Sequence, residues 1–374
     1  MNAFAGAELL AVLHRRQAFA PVAQPGYRSH LYVPFEELVG GRHEGLLADA
    51  FAATQRVAVI GPIGSGKSSL IEYVTTTAAD ALAPIWISVG HESDEMLRDP
   101  PEFARHLILE VVRWARDSRA MGEEQRRTIL AETTPTLPTT TRTHRQDFSL
   151  KLALGWLEPA IGDEVEETVA DPAVERARGE FIASLDRLVD LIRDDLGRVP
   201  IVLIDDSDRW LRLDGQVRDN LLQGFFVDTC RMLAERNWAV AMAIHPDYCA
   251  TRAYREAAGN GYFTIQHEMP ELQAPEALRH LFEVRVQSIA EAENEFVALE
   301  EGVHPIPPIA VSVDDVFEDG FDVLLHEYYD ARERNLRAVL TVAQQALNEA
   351  VGLGEEQITL ASLREAALGL AFEP

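Results

Sequence analysis

The chain has 374 residues, 47% of them apolar and 25% charged, with a formal net charge of −27. That length buries a full core and suits one large or two modest domains. The acidic balance excludes general binding to nucleic acid or anionic membrane outside a local patch, and no run approaches the about 18 apolar residues of a membrane span.

Met1–Val12 is apolar but lacks a basic leader, so it reads as a short helix and not an export signal. Cys230 and Cys249 are too few for a disulfide framework or a zinc site, which fits a cytoplasmic protein. A helix is expected over Ala7–Ala18, with Pro21 and Pro25 in the loop that follows. Phe35–Glu44 then leads into an amphipathic helix over Gly45–Ala53.

The first strand is Val57–Ile60, and it runs straight into Gly61-Pro62-Ile63-Gly64-Ser65-Gly66-Lys67-Ser68-Ser69. This is G-x-x-x-x-G-K-S between a strand and a helix, the latter predicted over Ser68–Ala81. Its glycines let the backbone curl so that successive N–H groups face an anion, and the helix adds its positive end. Lys67 would neutralise phosphate oxygens, and the Ser68 hydroxyl would bind Mg²⁺. Only Lys67 and Lys151 are lysines in a chain that otherwise uses arginine, so a compact ammonium is specifically kept at 67.

Pro84–Val89 is a second apolar run, suited to a buried parallel strand. The next lies beyond residue 198, so 91–198 must carry structure of its own. Glu102–Leu130 is predicted helical, Thr133–Thr143 a linker, 148–169 a β-hairpin and Ala173–Leu196 a helix. The run Val199–Ile204 ends in Asp205-Asp206, as expected where a buried strand meets a ligand crevice. Asp205 would hold Mg²⁺ opposite Ser68, and Asp206 would orient the attacking water. A helix over Asp219–Glu235, a strand over Trp238–Ile244 ending in His245, a polar helix with Arg252 and Arg255, and a strand over Tyr262–Ile265 complete the alternation. Such alternation predicts a doubly wound, five-stranded parallel sheet. From Pro275 the pattern is helical only: Glu276–Leu299, Val313–Tyr329 capped by Ser312, Asn335–Val351 and Leu360–Ala371, with Pro305, Pro307 and Pro308 as breakers.

In this order the motifs resemble the AAA+ ATPases, in the branch around replication initiators, transposition regulators and KAP- or STAND-like NTPases, over roughly residues 35–371. Gly61–Ser68 resembles Walker A, Ile201–Asp206 Walker B, and Asp205–Arg209 the D-D-x-D-R run of KAP-like members. The resemblance implies an α/β nucleotide-binding domain over 35–270, interrupted by an α plus β-hairpin insertion at about 91–170. It also implies a small helical lid over 271–374, preceded by an N-terminal helix and linker over 1–34. ATP and Mg²⁺ are the implied cofactors. Gly40 and Arg42 fall in the motif that contacts adenine, and His245 falls at sensor 1. Arg337, in Arg334-Asn335-Leu336-Arg337, falls at sensor 2, with Arg334 where the family has glycine. An arginine finger for a neighbouring subunit would be Arg252 or Arg255. Asp206 stands where most members carry glutamate, which implies slow hydrolysis.

The main functional expectation is therefore a homo-oligomeric, ATP-driven switch acting on a protein effector, possible settings being bacterial defence and mobile-element systems. The alternative is a DNA-binding, initiator-like ATPase. Residues 98–151 carry ten basic and eight acidic side chains, a balanced stretch in an acidic chain, with Arg113, Arg116 and Arg119 roughly on one helix face and Arg126, Arg127, Arg142 and Arg145 beyond.

Overall fold

A computed structural model of the chain describes residues 6–21, 31–117, 122–132, 172–301 and 311–371. Helices α1 (Ala7–Arg15), α2 (Phe35–Val39) and α3 (His43–Ala52) precede β1 (Arg56–Ile60), and α4 (Lys67–Thr77) leads to β2 (Leu82–Ser88). Helices α5 (Asp94–Arg98), α6 (Pro100–Asp117), α7 (Glu123–Glu132) and α8 (Pro172–Asp194) come before β3 (Val199–Asp205). A 3-10 turn (Ser207–Arg212), α9 (Gly215–Gln223), a π turn (Gly224–Thr229) and α10 (Cys230–Ala234) reach β4 (Ala239–Ile244). Then follow α11 (Pro246–Cys249), α12 (Arg252–Gly259), β5 (Ile265–Glu268), α13 (Pro275–Glu301), α14 (Phe321–Ala331), α15 (Leu336–Leu353) and α16 (Leu360–Ala371).

All strand pairings are parallel, in the order β2-β3-β4-β1-β5. The apolar runs are continuous because both faces of the sheet are covered. Val57, Val59, Ile201, Leu203, Ala239 and Ala241 face a core built with α3, α4 and the lid helices. Ala58, Ile85, Ile87, Val202, Ile204 and Met242 face a second core built with α6, α8, α10 and α12. The expected architecture, a doubly wound five-stranded parallel sheet with a helical C-terminal unit, is what the chain adopts.

Several boundaries differ from the sequence reading, each for a local reason. The last strand is Ile265–Glu268 and not Tyr262–Ile265. Phe263 is instead buried against Tyr254 and Phe226, and Thr264 pairs with Arg56 through a 2.8 Å backbone hydrogen bond at the strand's entry. The helix expected over Asp219–Glu235 runs from Gly215 to Ala234 and contains a π turn. A Cβ on Gly224 would sit 2.6 Å from Arg98 Cγ, and the Thr229 hydroxyl donates to Leu97 O at 2.7 Å, so α5 packs into that turn. The expected helix Val313–Tyr329 starts as one 3-10 turn and resumes at Phe321, because Val316 and Glu318 exchange backbone hydrogen bonds with Ile358. Ser312 does cap, in a reciprocal box with Asp315. The helix expected over Glu102–Leu130 is described as α6 and α7. The linker Thr133–Thr143, the hairpin 148–169, Arg119, Arg142, Arg145, Pro25, Pro305, Pro307 and Pro308 lie outside the described residues. Among the described residues no helix is long and apolar enough to cross a membrane.

Helix α1 does not stand apart. Leu9, Leu10, Leu13 and Phe19 are wholly buried, and Phe19 packs edge-on against Phe282 at 5.1 Å within a cluster that includes Phe317. Arg16 donates twice to Glu293, itself 5% exposed on α13, at 2.6 and 2.9 Å. The N-terminal segment is thus packed into the lid's core.

Candidate nucleotide site

The loop after β1 is fixed at its base by Gly61 N–H, which donates to Ile244 O at 3.1 Å. Gly64 and Gly66 take φ of +76° and +95°, backbone that side chains other than glycine rarely adopt. Lys67 is 5% exposed, and its ammonium donates to the carbonyls of Gly61 at 2.8 Å and Pro62 at 2.9 Å. Its third side faces Asp208 Oδ2 at 3.5 Å. Burial pulls the Lys67 pKa down, and the carboxylates of Asp208 and Asp205 pull it back up.

Opposite the loop, the end of β3 presents Asp205. Burial holds its carboxyl above the usual carboxylate range, opposed by hydrogen bonds from the Ser68 hydroxyl and the Asp206 N–H, the latter at 2.8 Å. Asp206 has φ +64°, and its carboxylate accepts a hydrogen bond from the Ser88 hydroxyl at the end of β2. The left-handed backbone costs about 1 kcal/mol for a residue with a Cβ. A Cβ on Gly90 would lie 2.8 Å from Asp206 O, so the segments leaving β2 and β3 are in close contact.

The lid meets the same loop. Arg337 N–H donates to Gly64 O at 3.1 Å, and a Cβ on Gly64 would be 1.9 Å from Asn335 Oδ1. Asn335 caps α15 by accepting from Ala338 N–H at 3.0 Å. The turn before it passes through Glu333 and Arg334 at φ +54° and +64°, so it forms without the glycine the family pattern has there. An Arg334→Val variant is expected to cost about 1–2 kcal/mol, since a β-branched side chain resists this conformation. Arg334→Gly should leave the melting temperature within a few degrees of the parent, because relief of strain offsets the entropy of an added glycine and the loss of a half-exposed pair with Glu271. Thermal melting of both variants checks this.

Between loop, strand end and lid lies a cavity of ≈ 620 Å³. Ile63, Gly64, Ser65, Gly66, Lys67, Ser68, Ser69, Asp205, Asp206 and Arg337 all line it, while Gly61 and Pro62 serve it through the carbonyls that hold Lys67. Apolar side chains complete the lining: Tyr32, Phe35 and Leu38 from before β1, with Phe35 beside Gly66, and Leu281 and Leu340 of the lid. Tyr32 stacks on Tyr73 at 4.4 Å.

The remaining residues singled out in the sequence are not in the cavity lining. Gly40 and Arg42 are exposed, and Arg42 pairs with Asp49 at 3.2 Å, where both side chains face solvent. His245 accepts from Asp247 N–H at 3.3 Å through Nδ1 and so caps α11. Arg252 and Arg255 are exposed on α12, and Arg255 donates to Ala250 O. Conversely, Tyr32, Phe35, Tyr73, Arg212 and Arg285 line the cavity although no sequence motif assigns them to it, as do Asp208 and Arg209, which the sequence marks only as members of the D-D-x-D-R run. Glu44 holds Tyr32 and Phe35 in place. It is 7% exposed and accepts from Tyr32 Oη at 2.6 Å, Phe35 N at 2.6 Å and Glu36 N at 3.2 Å.

The chemistry fits a metal–triphosphate. Ser68 and Asp205 are hard oxygen donors side by side, and the Ser65 hydroxyl is buried in the loop without a partner among the described residues. No group of three or more His, Cys, Asp or Glu side chains among the described residues is arranged to hold a metal alone. Magnesium does not need one, because it takes one or two carboxylates and completes its shell with phosphate and water.

No family model matches the chain, and no curated protein matches it. Among solved structures, it is similar to CDC6P from Pyrobaculum aerophilum, with 12% identity and a TM-score of 0.47 over 96% of this chain and 72% of that one. It is also similar to the Aeropyrum pernix ORC2 protein in its ADPNP–ADP complexes, with 13% identity and a TM-score of 0.48 over 95% and 71%. A third is Drosophila ORC bound to DNA, with 12% identity and a TM-score of 0.46 over 98% and 66%.

Proposed function

We propose that the chain binds ATP with magnesium in this cavity and hydrolyses it, acting as an AAA+ type, nucleotide-dependent oligomeric switch on a protein partner. The observation that carries the reading is the convergence of the Gly61–Ser69 loop, Asp205 and the lid residue Arg337 on one cavity whose lining also includes apolar side chains. Loop N–H groups, Lys67 and Arg337 suit the phosphates, Ser68 and Asp205 the metal, and the wall of Tyr32, Phe35 and Leu38 the base. Asp206 would orient the attacking water, His245 would sense the γ-phosphate or that water, and Arg252 or Arg255 would serve the site of a neighbouring subunit. Magnesium would supply charge neutralisation of the phosphates. A lid that touches Gly64 makes the domain angle depend on what the loop holds, provided ATP binds one arrangement better than the other. Calorimetry with ATP and Mg²⁺, phosphate release, and sizing chromatography with and without nucleotide test this. Absence of binding heat removes the whole reading, and assembly indifferent to nucleotide removes the switch.

A second reading, an initiator-like ATPase that engages DNA, is favoured by the balanced charge of 98–151 in an otherwise acidic chain. Against it, Arg105, Arg113 and Arg127 are each paired within their own helices, with Glu102, Glu110 and Glu123. A salt-dependent mobility-shift titration decides between them.

A further inference from the structure

Three carboxylates of one short run face the cavity, and their surroundings differ. Asp205 is engaged by Ser68 and by the Asp206 N–H. Asp206 is engaged by Ser88. Asp208 points one oxygen, Oδ2, at Lys67 from 3.5 Å, while its Oδ1 is buried and has no hydrogen-bond partner among the described residues.

That aim is fixed by the turn that carries it. The Ser207 hydroxyl donates to Ala243 O at 2.8 Å, the Tyr248 hydroxyl donates to Ser207 O at 2.7 Å, and Trp210 Nε1 donates to Val89 O at 3.4 Å. All three bonds are buried, and they tie the 3-10 turn to β4, α11 and the end of β2. A side chain held this firmly, with one oxygen on the loop lysine and the other unused, is prepared for something that arrives with the ligand.

We propose that Asp208 is a further functional residue of the nucleotide site. Its Oδ2 positions the Lys67 ammonium, and its Oδ1 accepts from water carried in the hydration shell of the metal–triphosphate. This rests on the ATP–magnesium reading given above. Without metal, Asp208 simply adds a negative charge beside the phosphates. With metal, that charge and its free acceptor become favourable. Asp208 therefore makes ATP affinity depend more steeply on Mg²⁺.

The test is calorimetric titration of ATP into the full chain in Mg²⁺ and in EDTA, for the parent, Asp208→Asn and Asp208→Glu, with thermal melting of each. In the parent, Mg²⁺ tightens binding. In Asp208→Asn that tightening is expected to shrink about tenfold, with EDTA affinity unchanged or higher, while Asp208→Glu, which keeps the charge, recovers part of it. Asp208→Asn with the parent's ratio of Mg²⁺ to EDTA affinity overturns the proposal. So does equal loss of binding in both media by both variants, which marks a purely structural role. No binding by the parent in either medium is a different result, and defeats the ATP reading itself.

Discussion

Lys67→Ala is expected to weaken ATP binding by about 10- to 100-fold, the worth of one charge-assisted contact to phosphate at roughly 1.5–3 kcal/mol. The side chain is already in position before any ligand arrives. Its donors are engaged by the carbonyls of Gly61 and Pro62 and by Asp208, so the ammonium is held at the loop's centre and gains a phosphate oxygen by exchanging one of these partners. Arginine should not substitute for it. A planar guanidinium is too wide for a site where lysine is 5% exposed and ringed by loop carbonyls, so Lys67→Arg is expected to bind as weakly as Lys67→Ala. Calorimetry gives the affinities, and circular dichroism melting confirms that both variants fold.

Glu44→Ala is expected to destabilise the protein by about 2–5 kcal/mol, because it strands buried donors that a carboxylate now satisfies. The hydroxyl of Tyr32 and the N–H of Phe35 each lose a 2.6 Å partner. Tyr32 is half-buried, and burial and then the Glu44 carboxylate push its pKa far above the usual phenol range. Glu44→Gln keeps one acceptor oxygen and should cost roughly half as much. Chemical denaturation measures both. Because the same bonds hold Tyr32 and Phe35 against the cavity, ATP affinity should fall in step with stability, although Glu44 itself is not in the cavity lining.

The sheet and its polar loop were legible because they depend on local rules. A strand buried on both faces must be apolar throughout, and a backbone curled around an anion needs glycine at fixed spacing. Both leave marks over a few consecutive residues, as Val57–Ser68 and Val199–Asp206 do. The apolar part of the cavity lining was not legible. Tyr32 with Phe35, Tyr73 and Leu281 come from three distant places in the chain, and only the fold assembles them. Glu44 looked like part of a charged motif beside Arg42, yet it turns inward while Arg42 turns out. Asp208 was visible in the run Asp205–Arg209, but nothing in the sequence tells which of three nearby carboxylates each hydroxyl or amine takes. The turn at Arg334 shows the reverse case: a missing glycine did not remove the left-handed conformation, since neighbouring packing imposes it at a modest cost.

The aromatic contact between Phe19 and Phe282 has a practical corollary for anyone trimming this polypeptide. A fragment started at residue 35, where the family likeness begins, would leave behind the helix that covers the lid's inner phenylalanines and strip Glu293 of both its arginines. Such a piece should be sticky and poorly expressed, and its failure to turn over nucleotide would say nothing about catalysis.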